Sequence, residues 1–111
     1  MRKRWTWAFG KISQAVEILA TDPHDARHRV WRAADYFLSV MPEDLPTNCY
    51  SDFEDIRKRL LRCPPSGHYK SAIEATFART RNTTASKIAA DMLRVYTKFQ
   101  LAFEADKQRP D

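Results

Sequence analysis

The stretch TASKIAADMLRVYTKFQLAFE, residues 84–104, decides the fold. Its apolar side chains Ala85, Ala89, Met92, Tyr96, Phe99 and Phe103 recur at alternating intervals of four and three, which sets them on one side of a 3.6-residue helix and leaves Lys87, Arg94 and Lys98 on the other. A helix of this kind must bury its apolar side against similar partners, and the rest of the chain supplies them. Trp5, Phe9, Ile12, Val16 and Leu19 repeat the spacing, as do Ala26, Val30, Ala33, Phe37 and Met41, and then Cys49, Phe53, Ile56, Leu60 and Cys63. No stretch alternates polar and apolar residues over strand length, so the reading is all-α: a single compact antiparallel, up-and-down bundle of four to five helices.

Stop and start signals divide the stripes. The first helix is predicted over Arg4 to Ala20, and Asp22 with Pro23 is expected to cap and begin the second. That helix should reach Met41, where Pro42 blocks continuation. After the acidic link Pro42 to Pro46, Thr47 or Ser51 caps a third helix ending at Arg62, before Pro64-Pro65-Ser66-Gly67. A weak fourth helix is expected from His68 to Thr80, with Ser71 and Glu74 at capping-box spacing. The fifth runs from Thr84 to Glu104. The chain reads as one domain over residues 1–111, with 1–4 and 105–111 as loose ends.

With 43% hydrophobic residues in 111, one core is affordable without disulfide staples. Cys49 and Cys63 on one continuous helix would lie roughly 20 Å apart, beyond bonding reach, so both are expected as buried apolar residues of a cytoplasmic protein. No apolar run is long enough to span a bilayer, and no membrane partner is expected. The net charge of +5 favours polyanions without identifying one. Charge is segmented: Arg2, Lys3, Arg4 and Lys11 precede any acid, Glu43, Asp44, Asp52, Glu54 and Asp55 come together, and Arg57, Lys58, Arg59 and Arg62 follow. Glu54 with Lys58 and Asp55 with Arg59 stand at the favourable i,i+4 spacing.

Two surfaces stand out as partner sites. Trp7 and Ile18 fall opposite the stripe of the first helix, on the face that should be solvated, and tryptophan there suits contact with another protein or a second copy of the chain. Arg79, Arg81, Lys87, Arg94 and Lys98 gather around the start and the polar side of the last helix, where phosphates of DNA or RNA would be held. The first reading, a non-catalytic adaptor or accessory subunit, leads; a nucleic-acid-binding protein is the alternative. The segment from Arg81 to Ile88 resembles the start of a helix-turn-helix recognition helix, which would imply DNA as partner.

A catalytic role ranks third. Arg62-Cys-Pro-Pro-Ser-Gly-His68 resembles, in the spacing of its arginine and histidine, the pair used by ribonucleases of the HEPN type, although in that family both residues share one helix and here two prolines intervene. His24 and His28 are spaced i,i+4 at chelating distance, but two ligands make no site, and neither metal nor cofactor is expected.

Overall fold

The computed structural model describes residues 4–107 and contains five helices: α1 (Trp5–Thr21), α2 (Ala26–Leu38), α3 (Tyr50–Leu60), α4 (Ala72–Ala78) and α5 (Asn82–Lys107). Two 3-10 turns, Pro42–Asp44 and Thr47–Cys49, carry the chain from α2 to α3. The described residues contain no strand beyond a single antiparallel bridge between Ser66 and Tyr69. Helix α5 is the spine: it packs along α1, α2 and α3, α1 and α2 form the most extensive pair, and α4 rests on α3 and α2. The all-α bundle expected from the spacing is thus the architecture observed.

One core cluster joins these elements, with Ile12, Val30, Phe37, Phe53, Ile56, Leu60, Met92 and Phe99 fully enclosed. The whole α3 stripe, from Cys49 through Phe53, Ile56 and Leu60 to Cys63, is buried as its spacing requires. In α1 the enclosed residues are Ala8, Ile12, Ala15 and Leu19, so the buried face is turned by roughly 50° from the predicted stripe. Small side chains at 8 and 15 let α1 approach its neighbours closely. The larger rings sit at the margin, where Phe9 stacks on Tyr96 at 5.4 Å and meets Phe99 edge-on at 5.2 Å, and Trp5 meets Phe99 at 5.8 Å. Tyr96 is therefore only half-buried, and α5 turns Ala85, Ile88, Met92, Val95 and Phe99 inward.

The helix limits differ from the sequence reading for local reasons. Asp25, not Asp22, caps α2, its carboxylate accepting the His28 N–H at 3.0 Å. Helix α2 ends at Leu38, leaving Met41 exposed before Pro42 opens a 3-10 turn. Neither Thr47 nor Ser51 caps α3, because the 3-10 turn Thr47–Cys49 runs directly into it. Beyond α3, Gly67 at φ 58° lets Ser66 and Tyr69 exchange two backbone hydrogen bonds of 3.0 Å, so the residues from His68 onward begin as a tight turn rather than a helix. Ser71 does cap α4, accepting the Glu74 N–H at 3.2 Å. At the other end α5 continues through residues 105–107, where the Lys107 ammonium lies 4.9 Å over the Phe103 ring and 3.7 Å from the Glu104 carboxylate. Residues 1–3 and 108–111, also expected as loose ends, lie outside the described residues.

Phe53 and Phe99 are both wholly enclosed, on α3 and α5. Replacing either with alanine is expected to lower unfolding free energy by about 3–5 kcal/mol, measured by urea denaturation. Wild-type stability in either variant would remove that ring from the core.

Candidate functional site

The reversal from α1 into α2 is built on one buried carboxylate. Pro23 follows Asp22 and redirects the chain, and Asp22 stays 5% exposed while the residues after it are open to solvent. Its Oδ1 accepts the His24 N–H at 2.8 Å and lies 2.8 Å from His24 Nδ1, while Oδ2 accepts from Arg32 at 2.6 Å. His28, in the first turn of α2, brings its Nδ1 to 3.6 Å from the same Oδ1. The His24 N–H first, then Arg32 and the His24 side chain, hold the Asp22 carboxyl well below the usual carboxylate range against the opposing effect of burial. The two imidazoles lie 4.1 Å apart between centroids. Sequence reading assigned Asp22 to a helix cap and so missed its meeting with both histidines. Its place just before Pro23, with two histidines following, was the available signal.

Beside this corner an aromatic groove opens between α2 and α4. Arg27, Trp31, Tyr69, Glu74, Phe77 and Ala78 line a depression of about 330 Å³. Trp31 is 46% exposed and Tyr69 40%, and the Trp31 ring stacks on Phe77 at 6.2 Å. A second depression of about 300 Å³ continues past Trp31 to His24 and His28. Arg27 fixes the groove's frame: its Nε donates to the Phe77 carbonyl at 2.9 Å and its backbone N–H donates to Asn82 Oδ1 at 2.9 Å, which ties α2 to the end of α4 and the start of α5. Trp31 was missed because it follows Val30 by one position and adds nothing to the stripe; a tryptophan off the apolar face was the signal to follow, as it was for Trp7.

The expected site residues fall in different places. Trp7 is 39% exposed on the outer side of α1, with the Arg4 guanidinium 4.1 Å over its ring and Lys11 5.8 Å away. Ile18 does not join it on an open face; it is half-buried against the core, because α1 is flanked by both α2 and α5. Arg79, Arg81 and Lys87 are exposed, and among the described residues no carboxylate lies within ion-pairing distance of them. Arg94 and Lys98 are engaged instead, by Asp91 at 2.7 Å and by Asp52 at 2.6 Å. The five cations therefore do not form an unbroken positive surface. Asp91 also accepts Arg59, which bridges it at 2.6 Å to its own i,i+4 partner Asp55 at 3.0 Å.

The remaining chemistry is scattered. Arg62 turns its guanidinium to the Arg79 carbonyl at 3.4 Å, and His68 lies in the exposed turn after the prolines, so the two share no helix. Cys63 is buried and bonded through its N–H to Thr76 Oγ1 at 3.0 Å. Burial, offset in part by Lys98, pushes the Cys49 thiol up to about 11, which leaves it protonated and unreactive at neutral pH. No family model, curated protein or solved structure matches this chain, so its function rests on this geometry alone.

A carboxyl lowered on folding contributes stability that is present above its unfolded value near ~4 and is lost as pH falls toward its folded value. Asp22→Asn is therefore expected to lower the urea midpoint at pH 7 and to flatten the loss of stability seen in the wild type below pH ~4. Equal acid sensitivity in variant and wild type would show that other carboxylates govern that limb.

Proposed function

We propose that this chain is a non-catalytic binding module, an adaptor or accessory subunit, that holds another protein in the groove between α2 and α4. The observation carrying this reading is the exposure of Trp31 and Tyr69 over Phe77 in one groove, framed by Arg27 and Glu74. Tryptophan and tyrosine dominate binding hot spots because they bring large apolar area with few rotatable bonds. The groove's size suits an apolar anchor side chain of a partner, with Arg27 and Glu74 set to select charge on either side of it. Its lining contains no serine, cysteine or histidine, and both thiols of the described chain are buried and free, which supports a cytoplasmic setting. Trp7 ranks second as an anchor, since Arg4 and Lys11 already cover part of its ring.

The competing reading, phosphate binding by the α4–α5 corner, draws on Arg79, Arg81 and Lys87, the three expected cations without an ion-pair partner among the described residues. Salt separates the two readings. Binding of fluorescent DNA or RNA through these residues must weaken steeply with salt, and Arg81→Ala with Lys87→Ala should lower the slope by about two units. Absence of DNA and RNA affinity at low salt would end that reading.

For the leading one, a benzophenone amino acid is placed at position 31, at position 7 or, as a control on the outer side of α5, at position 101, and irradiated in cells. A discrete protein adduct from position 31 alone is the expected result, and it should disappear when Phe77→Ala removes the groove floor. Adducts from position 7 alone would move the partner to α1. Adducts from neither would overturn the adaptor reading.

A further inference from the structure

We infer that Asp22, His24 and His28 form a binding site for a divalent transition-metal ion of the zinc class. Each offers one ligand atom, and the three atoms lie within 4.8 Å of one another. Asp22 Oδ1 is 2.8 Å from His24 Nδ1 and 3.6 Å from His28 Nδ1. Donors about 2.0–2.1 Å from a tetrahedral zinc stand roughly 3.4 Å apart, so these separations bracket the required spacing and small side-chain rotations reach it.

A separate observation points to the same ligand. His28 Nδ1 is shut off from solvent and has no hydrogen-bond partner, although it faces the carboxylate at 3.6 Å. Buried polar atoms are nearly always satisfied, and an ion shared with Asp22 and His24 supplies the missing partner. The ligands are also held from behind. Arg32 fixes Asp22 Oδ2 at 2.6 Å, the His24 N–H holds Oδ1 at 2.8 Å and leaves that oxygen a second lone pair for the ion, and Arg29 Nε holds the His24 carbonyl at 2.6 Å. Two imidazoles and one carboxylate suit zinc, cobalt, nickel or copper rather than calcium or magnesium, which prefer all-oxygen sites. The nearby guanidiniums oppose a cation, which sets the affinity below that of closed thiolate sites, and a water completes the coordination. The site stands independently of the groove reading.

The test uses the full untagged chain, freed of metal and titrated with Co²⁺ and then Zn²⁺. One equivalent of cobalt should bring visible d–d absorption that one equivalent of zinc removes, and the thermal midpoint should rise by roughly 10 °C at a zinc concentration a hundredfold above Kd. His28→Ala and His24→Ala should each weaken binding at least tenfold, with helical circular dichroism confirming that each variant folds, whereas His68→Ala should bind as the wild type does. Should one histidine variant fail to fold, the other decides, since the His24 side chain is 60% exposed and lies outside the helix. Absence of saturable one-to-one binding, unchanged affinity in the folded His24 or His28 variant, loss of binding in His68→Ala, or a cobalt–thiolate charge-transfer band would each overturn the site.

Discussion

The molecule depends on covering one face of α5. At 26 residues this helix is roughly 39 Å long, and no other exceeds the 17 residues of α1. Its buried line Ala85, Ile88, Met92, Val95 and Phe99 runs roughly 21 Å along the axis, and α1, α2 and α3 all pack against the helix. Each large side chain enclosed in this way contributes about 1.5–3 kcal/mol, more than any surface ion pair here can match. The pairing of α1 with α2 and the seating of α3 follow from competition for that one face.

Polar groups then fix how the pieces join. Asp22 holds the α1–α2 reversal, and Asp44, also buried, accepts Arg4 at 3.2 Å and the Met41 N–H at 3.3 Å, which ties the start of α1 to the link before α3. Thr76 receives the Cys63 N–H at 3.0 Å and closes the end of α3 onto α4. Asn82 reaches back to Asp25 at 3.2 Å as well as to Arg27, so the starts of α2 and α5 are locked together. These contacts occupy helix ends, where unsatisfied backbone groups and chain reversals coincide. Long-range specification thus sits in the connections, and bulk stability in the faces.

Periodicity made the helices legible because burial of a face is written directly into residue spacing: the α3 stripe from Cys49 to Cys63 is buried as read. It was less informative about rotation. Ala8 and Ala15 weigh little as hydrophobes yet are fully enclosed, so the α1 face turned, and Ile18, flanked on two sides, left the open surface where it was expected. Cap positions misled where a carboxylate had two possible roles, as with Asp22 and Asp25. The groove was hidden for another reason. Arg27, Trp31, Tyr69 and Phe77 come together only through the placement of α4, which no local pattern encodes, and the engagement of Lys98 by Asp52 likewise needs α3 laid beside α5.

The two walls of that groove differ in kind. Trp31 stands on α2, which is packed against α1 and α5, whereas Tyr69 and Phe77 belong to a seven-residue helix and the turn before it. A two-turn helix has almost no intrinsic cooperativity, so its amides are expected to exchange with solvent through local opening before the bundle as a whole unfolds. On the proposed reading, recognition in the groove would include an ordering step: an occupant would raise the protection of the α4 amides and leave those of α2 nearly unchanged. Substitutions that only stiffen this segment, far from any occupant, would then tighten capture by lowering the entropy lost on closing, so that the backbone of α4 would contribute to affinity beside the contact chemistry.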